Sequence, residues 1–126
     1  MREKTSQEKL WEGDFGDNYI ERNSSKELFA SNVHFFAKIL SKINTISTCI
    51  EFGANIGLNL RAINTLFPNV ELEAVEINEN AVKELRNFVP QKNIFHESII
   101  DFKPIKRRDL VLLKGVLIHV APSDLD

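Results

Sequence analysis

Apolar residues recur on two different periods along this chain, and the change between them divides it. From Ser25 to Ser41, Leu28, Val33, Phe36, Ile39 and Leu40 fall at helical spacing, with Phe29 and Phe35 widening the stripe. That pattern predicts an amphipathic helix. Ahead of it, Trp11, Phe15 and Tyr19 lie among Gly13, Gly16 and acids between Ser6 and about Arg22. Aromatics at this spacing predict short helical turns with one side laid on a surface. Beyond residue 45 the pattern alternates. Ile46 to Phe52 reads as a β-branched strand ending at Gly53, Gly57 to Phe67 as a helix stopped before Pro68, and Val70 to Ile77 as a second strand. Glu79 to Phe88 reads as a helix with Ala81, Val82 and Leu85 inward, Asn93 to His96 as a third strand, and Asp109 to Leu113 as a fourth.

Strands alternating with helices across short joints predict an α/β fold. The expected architecture is a Rossmann-like, largely parallel sheet with helices on both faces. Four strands are expected, and an N-terminal helical segment precedes them. The expected division is a helical cap over residues 1–45 and a partial ligand-binding domain over 46–126. Ala121-Pro122-Ser123-Asp124 has the proline and acids of a helix start, two residues before the chain ends at Asp126.

Composition narrows the function. The 126 residues suffice for one domain with a core, and the formal net charge of −2 comes without a basic cluster. A general nucleic-acid binder is therefore not expected. Cys49 is the one cysteine, so neither an intrachain disulfide nor a zinc cluster is available, and no metal site is expected. Its apolar neighbours predict a buried, inert thiol. The polar N-terminus does not resemble a signal peptide, and Leu110 to Val120 is too short to span a bilayer and contains Lys114. A cytoplasmic protein without membrane contact is expected, and Asn23-Ser24-Ser25 is then a chance sequon.

The chemistry concentrates where the first strand meets its helix, at Glu51-Phe-Gly53-Ala54-Asn55-Ile-Gly57. Gly53 allows a sharp turn and close approach of a ligand, Gly57 allows tight packing, and the helix start offers free amides. Asn55 stands where a dinucleotide fingerprint has its second glycine, and Glu51 adds negative charge. Asn55 disfavours the close backbone approach of a pyrophosphate, and Glu51 repels phosphate and suits a cationic ligand. Glu76, ending the second strand, is placed to accept the two ribose hydroxyls of an adenosine. Ser98 and Ile99 follow the third strand, where they meet an adenine edge and face or serve as ordinary loop and core residues. Lys114 and His119 follow the fourth strand at the ligand-binding carboxyl edge. His119 is either a proton acceptor for a substrate hydroxyl or a packing residue. Asp101 and Asp109 read as structural.

Five segments together resemble one family. They are Trp11-Glu-Gly-Asp-Phe-Gly-Asp-Asn-Tyr19-Ile-Glu-Arg22-Asn23, Glu51 to Ala62, Val75-Glu-Ile77-Asn78, Ser98-Ile-Ile-Asp-Phe102 and Asp109 to His119. They are similar to the methylases associated with pseudaminic acid biosynthesis, which are class I methyltransferases. The resemblance implies S-adenosylmethionine as cofactor. It implies Glu51, Gly53, Ala54, Asn55, Gly57, Glu76, Ile77, Ser98 and Ile99 around that cofactor, with Tyr19 and Arg22 lying over it. It also implies a sugar or sugar-nucleotide acceptor linked to surface or flagellar glycosylation. His119 and Lys114 are then the catalytic candidates.

A complete domain of this type has about seven strands, so a truncated chain is expected. Its fourth-strand edge would be open to self-association. Two alternatives stand beside the enzyme: a non-catalytic cofactor-binding remnant that joins a partner chain, and a nicotinamide-dependent oxidoreductase sharing Glu76.

Overall fold

The chain, described here over residues 2–17 and 26–113 of a computed structural model, is built on a four-stranded parallel sheet. The elements are α1 (Ser6–Glu12), α2 (Lys26–Ile39), β1 (Thr48–Phe52), α3 (Leu58–Leu66), β2 (Glu71–Val75), α4 (Glu79–Leu85), a single 3-10 turn (Gln91–Asn93), β3 (Ile94–Phe95) and β4 (Leu110–Leu112). Strand order is β3-β2-β1-β4. Tyr19, Arg22, Lys114, His119, the sequon and the proposed helix start at Ala121 lie outside the described residues.

Each element expected over the described residues is present, shorter at its ends. The first strand begins at Thr48 rather than Ile46 because Asp109 holds its entrance. The Asp109 carboxylate accepts the amides of Ser47 (2.7 Å) and Thr48 (3.3 Å), and the Asp109 amide donates to Thr48 Oγ1 at 2.9 Å. Gly57 is not helical but the left-handed cap of α3, at φ 86°. α4 stops at Leu85 because the chain tightens, with the amides of Asn87 and Phe88 donating to Glu84 and Leu85 three residues back.

Strand register sorts the side chains into two faces. Cys49, Leu72, Ala74 and Leu112 share one face, and Phe36 of α2, Leu60 and Ile63 of α3, and Leu85 of α4 cover it in a single apolar cluster. α2 thus contributes Phe36 to the core of the sheet. Cys49 is fully buried there, and loss of hydration pushes its thiol up to about 12, so it stays protonated and inert.

Across the sheet, Phe102 packs on Phe52 and Phe95, at ring-centroid distances of 5.6 and 4.8 Å. Glu73 also points to this side, buried in the middle strand region. Arg108 answers it with two parallel hydrogen bonds of 2.9 and 2.8 Å, which hold the carboxyl below its usual range. At the sheet end formed by β4, Val111 and Leu113 are exposed.

Gly57 is fixed by its surroundings as well as its torsion. A Cβ there would come within 2.5 Å of Phe88 Cζ and 2.7 Å of Leu85 Cδ2. Gly57→Ala is expected to lower stability by about 2–4 kcal/mol, combining left-handed strain with overpacking. Urea denaturation followed by circular dichroism checks this; a midpoint within error of the parent would refute it.

Candidate functional site

The turn leaving β1 is shaped by three left-handed residues: Gly53 (φ 70°), Asn55 (φ 54°) and Gly57 (φ 86°). Asparagine tolerates this region better than other residues with a side chain. Asn55 therefore keeps the backbone path while adding an amide. The amides of Gly53 and Ala54 both donate to the Val75 carbonyl (2.8 and 3.2 Å), tying the turn to the end of β2, and Gly57 closes it by donating to the Ala54 carbonyl at 3.0 Å. Ala54 is buried in the core below. Asn55 Oδ1 is itself buried and has no hydrogen-bond partner among the described residues.

Glu76 lies beside this turn, just past β2. One carboxylate oxygen accepts the Asn55 amide at 2.6 Å and the other accepts the Asn78 amide at 2.8 Å. The residue is only 7 % exposed. Burial pushes its carboxyl above the usual range, against the opposing pull of the Asn78, Asn55 and Ile77 amides and of His96. A carboxylate gripped this way is aimed, and each oxygen retains a lone pair for a further donor. Glu51 is buried beneath, where its Oε2 accepts from Asn59 Nδ2 of α3 at 2.7 Å.

The structure thus brings Glu51, Gly53, Ala54, Asn55, Gly57, Glu76 and Ile77 to one end of β1 and β2. Ile77, half-buried, follows Glu76, and its carbonyl meets His96 Nε2 at 3.0 Å. Ser98 is buried and Ile99 half-buried beyond β3. The Ser98 hydroxyl accepts the Ile100 amide at 3.2 Å. Asp101, read from the sequence as structural, accepts two hydrogen bonds from Arg2 at 2.9 and 3.0 Å.

Three contacts of the N-terminal segment escaped the sequence reading. Arg2 grips Glu8 through two hydrogen bonds (2.7 and 2.6 Å) as well as Asp101. Thr5 and Glu8 cap α1 reciprocally. The Asn78 side chain holds the far end of α1 through the carbonyls of Trp11 and Glu12. Thr5-x-x-Glu8 is a capping-box signature, so that contact had a sequence signal. The two long-range contacts had none.

No family model and no curated protein matches the sequence. Solved structures do. A methyltransferase from Methanococcus maripaludis, described as putative and S-adenosylmethionine-dependent, superposes with a TM-score of 0.64 at 19% identity, over 97% of this chain and 57% of its own. The plantazolicin methyltransferase BpumL in complex with S-adenosylhomocysteine gives 0.63 at 18% identity, over 86% and 45%. The sugar N-methyltransferase KedS8 from Streptoalloteichus gives 0.59 at 16%, over 80% and 40%. The chain has the Rossmann-like fold of these methyltransferases. It spans about half the length of each.

Arg2, first, and then the Ser98 hydroxyl and the Thr5 amide hold the Glu8 carboxyl down at about 2. A depressed carboxyl stabilises the docked segment fully above its unfolded value near 4.5, and that contribution fades as pH falls through about 2. Emission of Trp11, the single tryptophan, is therefore expected to report undocking between pH 4.5 and 2. Glu8→Gln is expected to show the undocked signal already at neutral pH; a parent-like signal would refute the role of Glu8.

Proposed function

We propose that the chain is the cofactor-binding part of an S-adenosylmethionine-dependent methyltransferase. The observation that carries the reading is the pairing of a left-handed Gly53-Asn55-Gly57 turn with a buried, doubly gripped carboxylate at Glu76. The residues fit the cofactor. Glu76 retains acceptor capacity for two ribose hydroxyls, and the buried Asn55 Oδ1, without a partner among the described residues, is an acceptor suited to an ammonium group. Glu51 and Glu76 make the site acidic, which disfavours a dinucleotide pyrophosphate and suits a cationic ligand. Ile77, Ser98 and Ile99 follow as contacts to the adenine, and Tyr19 and Arg22 as residues over the cofactor.

S-adenosylmethionine supplies a methyl group on a sulfonium, already a good leaving group. The protein then has to align the acceptor and exclude water. His119 is the proposed base for an acceptor hydroxyl and Lys114 a proposed substrate contact. The sequence resemblance supports an acceptor of the sugar or sugar-nucleotide type, in the biosynthesis of pseudaminic acid and related nonulosonic acids. Fold neighbours that include a sugar N-methyltransferase agree with that class.

Calorimetric titration of S-adenosylhomocysteine into the chain is expected to saturate, with Glu76→Gln weakening it about a hundredfold through two lost charge-assisted hydrogen bonds. No heat from the folded parent would overturn the reading. Where methyl transfer to a sugar hydroxyl is detected, His119→Ala is expected to slow it by about 10²–10⁴ with unchanged cofactor affinity. Full turnover would remove His119 as the base.

A further inference from the structure

Asn78 spends every polar group it has, and does so between two parts of the molecule. The residue is 3 % exposed. Its amide donates to Glu76 Oε2 at 2.8 Å, and its Oδ1 caps α4 by accepting the Ala81 amide at 2.9 Å. The remaining Nδ2 donates to the carbonyls of Trp11 (3.0 Å) and Glu12 (3.2 Å) and to Asp17 Oδ1 (2.9 Å). Those carbonyls belong to the last turn of α1, where a helix leaves acceptors unsatisfied. Gly16 closes the contact from the other side. A Cβ there would lie 1.9 Å from the Trp11 carbonyl oxygen and 2.9 Å from Asn78 Nδ2, so only glycine lets the segment sit this close. The other end of the same segment is clamped independently, by Arg2 on Asp101.

We propose that Asn78 is a positioning residue through which docking of the N-terminal segment, residues 2–17, sets the orientation of the Glu76 carboxylate that binds the ligand. This rests on the cofactor reading above and adds to it a regulation of that site. Any shift of α1 pulls on the Asn78 side chain, and the Asn78 amide carries that shift to Glu76 within the same residue. Coupling of this kind is reciprocal: a ligand that favours the aimed carboxylate also favours the docked segment.

The test compares the parent with Asn78→Ser and Gly16→Ala. Serine caps a helix about as well as asparagine and introduces no charge, but it lacks the long amide donor. Gly16→Ala breaks the same docking from the opposite side and leaves Asn78 and Glu76 unaltered. Both variants are expected to bind S-adenosylhomocysteine about tenfold more weakly, for the loss of one or two net hydrogen bonds of docking. Their Trp11 emission should become more quenchable by acrylamide, and saturating S-adenosylhomocysteine should make Trp11 of the parent less quenchable. A role confined to capping α4 predicts neither the Gly16→Ala effect nor the response of Trp11 to ligand.

Parent-like affinity in Gly16→Ala with Trp11 released, or Trp11 quenching in the parent indifferent to bound ligand, would overturn the coupling. Absence of binding by the folded parent would instead overturn the cofactor reading itself. That result is distinct from a parent that binds and variants that bind equally well.

Discussion

Glu76 accepts the Asn55 amide on one oxygen and the Asn78 amide on the other, so the turns that follow β1 and β2 are held in a fixed relation. Such a bridge is expensive to bury unless both oxygens are satisfied, and here both are. The geometry around it follows. The left-handed backbone at Gly53 and Asn55 brings the Asn55 amide within reach of Glu76, and two further amides on the Val75 carbonyl keep the turn against the strand. Gly57 then lets α3 start close enough to α4 that Leu85 and Phe88 fill the space where its side chain would be.

Buried charge recurs on the sheet, resolved differently each time. Glu73 is neutralised by a guanidinium in two-point contact, which cancels its charge and makes the pair structural. Glu76 is held by backbone amides alone, which aim the carboxylate without cancelling its charge. The difference between a structural carboxylate and a candidate ligand carboxylate is therefore visible in the partners. Burial does not distinguish them, since both are largely withdrawn from solvent.

The N-terminal segment belongs to the same system. Its Arg2 is answered by Asp101 beyond β3, and its helix end by Asn78 beyond β2. It therefore lies across the ends of the strands that carry the candidate site, where its position bears on what the site can hold.

Much of this was legible in the chain alone. Period-2 and period-3.6 patterning, with Gly53, Gly57 and Pro68 as punctuation, located each described strand and helix of the sheet, because backbone sterics and side-chain alternation act over a few residues. Glu51, Asn55 and Glu76 stood out for the same reason: their significance lies in their distance from a strand end. Element ends were less legible, since the carboxylate of Asp109, sixty-one residues from Thr48, decides where β1 begins. The Arg108–Glu73 pair, the Arg2–Asp101 contact and the threefold donation by Asn78 were not legible. Each joins residues far apart in sequence through side-chain geometry that exists only after the sheet has formed. Local sequence determined the strands, the turn and the acidic residue beside it. Tertiary structure decided which carboxylate is neutralised, which is aimed, and what lies across it, because burial and partnership are properties of the assembled fold.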